Sequence, residues 1–333
     1  EPQGSEQAAA EAGAIEEVVA ALRAHPQVAE VQEYGCSALA SVCFGADAAA
    51  PARRQRAATA GAIEVVVAAM RAHPQEAAVQ EEVCGVLDNV CFGDDAAAAA
   101  HRQRAVAAGA VEEVVAALRA HPQVENVQDD GCRVLANMCT GTDAAAAARR
   151  QRAATAGAIE VLVAAMRAHP QVVDVQENGC IALANMCAGD DAAVAASRQR
   201  AAAAGAIEEV VAALRAHPQV ATVQEYGCCA LANMCTGTDA AAVARRQRVA
   251  GAGAIEVVVA AMRAHPQVAG VQEDGCRALI FICRGGSGVR ARRRRATQAG
   301  ARTVAVAAMQ AHPDHGEVQD YGRQLLDHLP AEV

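Results

Sequence analysis

The sequence predicts an all-α fold, a solenoid of repeated three-helix units. Three observations predict it. First, a Gly-Ala-Ile/Val start recurs every 48 residues, at Gly13, Gly61, Gly109, Gly157, Gly205 and Gly253, and a last copy begins at Gly300, one residue early. Second, His-Pro recurs in step at His25, His73, His121, His169, His217, His265 and His312, as does Val-Gln at Val31, Val79, Val127, Val175, Val223, Val271 and Val318. Third, the 333 residues are 53% hydrophobic but only 2% aromatic. Much of that apolar content is Ala, which favours helix. A repeat of this length means one elongated domain over 1–333, in which neighbouring copies bury each other's faces.

Each element of the unit has its own signal. The first helix is expected from about Asp47 to Ala60. Asp47 suits an N-cap, Pro51 is tolerated in the first turn, and Gly61 is a C-terminal stop. The second runs from about Ala62 to Ala72, where Ile63, Val66, Val67 and Met70 fall at i, i+3, i+4 and i+7 as one apolar stripe. His73-Pro74 ends it, because the residue before Pro is pushed out of the helical region. The third runs from about Ala77 to Cys91 and buries Val79, Val83, Leu87, Val90 and Cys91. Phe92-Gly93-Asp94-Asp95 then turns into the next copy. The ends differ. The first copy has only a short lead-in, Ser5 to Ala12. Phe281 to Gly288 breaks the usual loop. In the last copy Arg323 replaces the first paired Cys, which suits a cap-like helix over 317–333 facing water.

Composition narrows the function. The net charge of −9 disfavours nucleic acid as main partner, since that binding neutralises phosphates. No apolar run reaches the roughly 18 residues of a membrane span. The start, Glu1-Pro2-Gln3-Gly4, has no Met and no signal-like core, as in a processed or trimmed chain. Twelve of the thirteen Cys form pairs seven apart, from Cys36/Cys43 to Cys276/Cys283, with Cys229 as the extra. Seven residues of helix rise about 10.5 Å, too far for a disulfide within that helix. The spacing is not that of short Cys-x-x-Cys zinc pairs either. Buried thiols used as small hydrophobes, in a reducing and cytoplasmic setting, are expected. The His-Pro residues read as helix stops. No catalytic residue, metal site or cofactor is expected, because no nucleophile elbow, phosphate loop or metalloprotease helix occurs.

These residues resemble armadillo repeats. Arg54-Gln55-Arg56-Ala57-Ala58-Thr59-Ala60-Gly61-Ala62-Ile63 is similar to the family's junction between first and second helices. Val127-Gln128-Asp129-Asp130-Gly131-Cys132-Arg133-Val134-Leu135-Ala136-Asn137-Met138 is similar to its third helix. The unit is longer than the usual repeat, by its Ala-rich first-helix entry. The resemblance implies a right-handed superhelix whose third helices line a concave groove for a protein segment. It also implies that Asn89, Asn137, Asn185 and Asn233 hold the partner's backbone, with Ser41, Phe281 and His328 at the ends. A side-chain amide has the donor and acceptor for that. The Trp that importin-type members carry four residues earlier is missing. Ser37, Gly85, Arg133, Ile181, Cys229, Arg277 and Gln324 stand there, which argues against nuclear-localisation peptides.

Differences between copies point to the same face. Tyr34, Glu82, Asp130, Asn178, Tyr226, Asp274 and Tyr321 occupy one repeat position, and all three Tyr of the protein are there. The position before it is always acidic, from Glu33 to Asp320. The expected groove therefore has an acidic rail, an amide ladder and Tyr anchors, and suits a basic or mixed basic and apolar segment. A ladder of arginines, such as Arg53-Arg54-Gln55-Arg56, lies near the end of each first helix and reads as solvated dipole partners. Its last rung, Arg290 with Arg292, Arg293, Arg294 and Arg295, is dense enough to meet an acidic partner. The function expected is a non-enzymatic protein-binding scaffold, and the alternative is a subunit fixed permanently in a large assembly.

Overall fold

The computed structural model describes residues 13–330, so the lead-in expected over Ser5 to Ala12 lies outside the described residues. Those residues form twenty helices and no strand. They fall into two compact units, Glu1–Val161 and Leu162–Val333. The first contains α1 (Ala14–Ala24), α2 (Ala29–Cys43), α3 (Ala50–Ala60), α4 (Ala62–Ala72), α5 (Ala77–Cys91), α6 (Ala96–Ala108), α7 (Ala110–Ala120), α8 (Glu125–Met138) and α9 (Ala144–Ala156). The division falls inside α10 (Ala158–Ala168). The second contains α11 (Val173–Met186), α12 (Ala192–Ala204), α13 (Ala206–Ala216), α14 (Ala221–Met234), α15 (Ala240–Gly251), α16 (Ala254–Ala264), α17 (Ala269–Ile282), α18 (Val289–Ala299), α19 (Ala301–Ala311) and α20 (Gly316–His328).

Within each unit the third helices of successive repeats stack: α2 on α5 on α8, and α11 on α14 on α17 on α20. The stripes expected of the second and third helices are the core. Ile63, Val66, Val67, Met70, Val79, Val83, Leu87, Val90 and Cys91 are all buried. The thirteen Cys are free thiols, and all but Cys229 are buried. Gly61 has φ 87° and serves both as C-cap of α3 and as N-cap of α4. That left-handed corner is why the motif begins with Gly.

Stacked helices end against neighbours, and their last carbonyls need partners. Repeated side chains supply partners for the carbonyls at and just beyond those ends. Gln80 donates to the Met70 carbonyl at 3.1 Å and the His73 carbonyl at 2.9 Å, closing α4 from α5. Gln32, Gln128, Gln176, Gln224, Gln272 and Gln319 do the same in their copies. His73 donates from Nε2 to the Pro26 carbonyl one repeat earlier, at 2.9 Å, and His121, His217, His265 and His312 reach back likewise. These histidines are inter-repeat stitches as well as helix stops.

The arginine ladder is corrected. Arg53, Arg54, Arg102, Arg149, Arg150, Arg198, Arg245 and Arg246 are buried, not solvated. They act on the preceding third helix instead of their own. Arg149 donates to the Met138 and Thr140 carbonyls at 2.8 Å each, and Arg245 to Met234 and Thr236 at 2.7 and 3.0 Å. His101 takes the same place and donates from Nδ1 to the Val90 carbonyl at 2.9 Å. Positive charge still meets a helix C-terminus, but that of the helix before. The last arginine of each group is on the surface, paired with the preceding repeat's second helix, as in Arg104–Glu64 and Arg248–Glu208. The first helix also begins later than expected in its first full copy. Ala49 is the N-cap of α3, while Asp47 accepts from the Ala49 amide and is gripped by Arg53 at 2.7 Å, which holds its carboxyl down at about 2.

Arg149→Met removes the donors to two buried carbonyls. It is expected to cost about 2 kcal/mol or more in urea unfolding. Arg294→Met, at an exposed position of α18, is expected to stay within about 0.5 kcal/mol. Equal costs would contradict the buried-clamp account.

Candidate protein-binding faces

In the first unit the outward face of α2, α5 and α8 is where the copies differ. Tyr34 is 68% exposed there. Ser37 hydrogen-bonds the Glu82 carboxylate, whose pKa is raised first by burial and then by Glu81 and Glu33. Asn126 of α8 donates to Glu81 of α5 at 2.9 Å. Deeper along the face Arg133 meets three carboxylates: Asp88 at 3.1 Å, Asp129 at 3.5 Å, and Asp130. Burial pushes Asp130 up to about 7. Arg133 opposes that rise, while Asp129, Glu81 and Asp88 add to it. Burial also raises Asp88, against Arg133 and the Asn137 amide. One guanidinium thus stands against several carboxylates, and the surplus charge is negative.

The amide ladder has an internal use. Asn89 donates from Nδ2 to the Ala40 carbonyl of the preceding third helix at 3.0 Å, and Asn137 donates to Asp88. In the second unit Asn233 donates to the Ala184 carbonyl at 2.9 Å, while its Oδ1 accepts from Arg277. The donor side of these amides therefore binds the stack. Ser41 is exposed, while Asn178 and Asn185 are half-buried on α11.

The face of α14, α17 and α20 in the second unit is built alike. Arg277 pairs with Asp274 at 2.7 Å and donates to the Cys229 sulfur at 3.7 Å. Burial, with Glu273 and Glu225 adding, pushes Asp274 up to about 6, against Arg277. The Tyr226 phenol is raised first by burial and then by Glu225 and Glu177. Thr222 donates to Glu177. Glu225 lies over Gly270, where a Cβ would stand 2.3 Å from its carboxyl carbon. Arg284 sits over the Phe281 ring at 5.7 Å, and Tyr321 is half-buried on α20.

Of the arginines in the last rung, Arg292 is buried and donates to the carbonyls of Ile282, Arg284, Gly285 and Ser287. Arg293 donates to Cys283, and Arg295 pairs with Glu256 and donates to Ala250. Burial withdraws Arg292 from the acidic-partner patch. The exposed cations are Arg290, Arg294 and, from the loop before α18, Arg284. Among the described residues Glu273, His315 and Glu317 bring ligand atoms within 4.8 Å of one another, a set that could hold a divalent cation. His315 Nδ1 already accepts from the Val318 amide at 3.4 Å.

One participant is absent from the sequence expectations, and one was placed on the face without a role. Asp88 stands where Ala40, Ala136, Ala184, Ala232 and Ile280 stand in other copies, and only the last copy, with Asp327, shares the acid, so comparing copies at that position would have found it. Cys229 sits on the face, and its thiol is pushed up to about 11 by burial. The pH dependence of stability follows from Asp130. Its folded value, about 7, lies above the ordinary 3.8, so the folded chain keeps a proton that the unfolded chain releases. That contribution is full below pH about 4 and is lost as pH rises to about 7. Asp130→Asn is expected to flatten this part of the curve of urea midpoint against pH. An unchanged curve would refute the assignment.

Comparisons with known proteins bear on the family and the fold. The family described as LRRK2 ARM repeat matches residues 56–322. No curated protein matches the chain. Among solved structures it is similar to a β-catenin armadillo-repeat protein from "A conserved phosphorylation switch controls the interaction between cadherin and beta-catenin in vitro and in vivo". The identity is 15% and the TM-score 0.76, over 98% of this chain and 55% of that one, so the chain spans about half that protein's length. At this identity the likeness concerns fold alone, an all-α solenoid. With a family match over most of its length, and three-helix repeats throughout the matched region, the chain belongs to the armadillo (ARM) repeat family.

Proposed function

We propose that this chain is a non-enzymatic interaction scaffold whose third-helix faces receive a basic, partly apolar segment of a partner protein. One observation supports the reading above others: the surplus of carboxylates around Arg133. Asp88, Asp129 and Asp130 crowd one guanidinium, and Asp130 is pushed to about 7. Like charges held together on a partly open face cost stability, and a cationic partner would relieve that cost. Tyr34 and Tyr226 offer ring area and a hydroxyl beside the acids. The neighbouring fold's printed subject, an interaction between cadherin and β-catenin, is in keeping with a protein partner. No helix among the described residues is long and apolar enough to cross a membrane.

A second reading, a permanent architectural subunit, is favoured by the amides. Asn89 and Asn233 spend their donors on the preceding repeat, which a stack needs with or without a ligand. Exposed Arg284, Arg290 and Arg294 would in either case suit an acidic neighbour.

Titration with a fluorescent Arg- and Leu-containing peptide, followed by anisotropy at low and high salt, separates the readings. A groove ligand is expected to bind at low salt and weaken as salt screens the exposed acids. Combining Tyr34→Ala with Glu82→Gln is expected to weaken binding to the first unit about tenfold, the effect of losing one interface anchor. Absence of binding at low salt would favour the architectural reading.

A further inference from the structure

We propose that Ser287 is a phosphorylation site for an arginine-directed protein kinase, and that its phosphate serves the helix-capping role that aspartate plays in four other repeats. Four residues after the second paired Cys, the successive copies read Asp47, Asp95, Asp143, Asp191, Asp239 and then Ser287. Asp95, Asp143, Asp191 and Asp239 are the N-caps of α6, α9, α12 and α15. Each accepts a hydrogen bond from the amide three residues on. In α18 that carboxylate is missing. Its N-cap is Gly288, in the left-handed region, and no side chain accepts from its first turn. α3, where Asp47 precedes the N-cap Ala49, and α18 both lack a side-chain cap, and α18 alone has a hydroxyl where the other copies have a carboxylate.

The surroundings fit a phosphate. Arg284, three residues before Ser287, and Arg290, three after, are exposed, and among the described residues no ion pair joins either to an acid. Arg292 donates from NH1 to the carbonyl of Ser287 itself at 2.8 Å. The Ser287 hydroxyl accepts from Gln247 Nε2 at 3.0 Å and is otherwise on the surface. Gly285, Gly286 and Gly288, all with positive φ, flank it, and such a loop can be drawn out into an extended kinase substrate. Thr297 follows Arg294-Arg295-Ala296, but its hydroxyl donates to the Arg293 carbonyl within α18 at 3.2 Å, in a helix a kinase would have to unwind.

The reaction is ordinary phosphoryl transfer. The Ser287 oxygen attacks the γ-phosphorus of ATP, the bond to the β-γ bridging oxygen breaks, ADP leaves, and the hydroxyl proton passes to the kinase's base. The product carries up to two negative charges at a helix N-terminus among arginines, where such a group orders the first turn. It would also neutralise the exposed arginines, and so weaken attraction to an acidic neighbour.

The test treats the full chain with ATP and an arginine-directed serine/threonine kinase, maps the product by peptide mass spectrometry, and follows amide exchange across 289–292. The expected result is one phosphate on Ser287, lost in Ser287→Ala and kept in Thr297→Ala. Exchange in the first turn of α18 is expected to slow about two- to fivefold on phosphorylation, and to slow in the unmodified Ser287→Asp variant as well. No phosphate on Ser287, or unchanged exchange when it is present, overturns the proposal. Either failure leaves the groove reading untouched, because Ser287 lies on the loop before α18 and not on a third-helix face.

Discussion

A helix packed end-on against its neighbours cannot leave its last carbonyls to water, and the rest of this structure depends on how they are satisfied. The repeat answers with side chains that reach across a corner. Gln80 closes α4, Arg102 closes α5, and Arg71 bonds the Ala108 carbonyl at the end of α6. Each clamp belongs to one helix and serves another. A copy that lost one would loosen an inter-helix angle, not merely a local turn. This is why an Ala-rich chain with no Trp can hold a stack. Small residues bring helices close, and buried polar clamps fix their mutual register.

That division of labour restricts where copies are free to differ. The apolar stripes and the Gln80 position hardly change from copy to copy, while the Arg149 position is taken by His101 and Ser197 in two copies. The outward face of the third helix does change, and the changes are not neutral in charge. Glu33, Glu81, Glu82, Asp88, Asp129 and Asp130 accumulate in one unit against Arg133. Burial and mutual repulsion together raise several of these acids, so the face stores unfavourable charge instead of spreading it. Such an arrangement costs stability that a neutral face would not.

Helix identity was legible to within a few residues, because Gly61, Pro74 and the stripe of Ile63, Val66, Val67 and Met70 act locally. The free thiols were legible in part, since a spacing of seven along one helix is too long for a bridge within it. The arginine clamps were not. Their targets lie nine and eleven residues back across a loop, and only packing shows that the preceding third helix is covered there. A charge near a helix end reads the same in sequence whether it faces solvent or a neighbour. Asp88 was hidden for a different reason: it belongs to neither repeated motif and stands beside Asn89, whose repetition carries the local signal.

The asparagines mark where family likeness and local physics diverge. Asn89 reaches the carbonyl of Ala40, 49 residues back, one repeat plus one residue. That register puts its donor on the neighbouring third helix, at the edge of the variable face. The amide is therefore a brace for the surface on which a partner would lie. Asn233 shows the consequence most clearly. Its Nδ2 holds the Ala184 carbonyl while its Oδ1 receives Arg277, which in turn pairs with Asp274. The charge carried on the face is thereby tied, through one side chain, to the spacing of the helices beneath it. A cation settling beside Asp274 would compete with Arg277, and through Asn233 it would act on the stack itself.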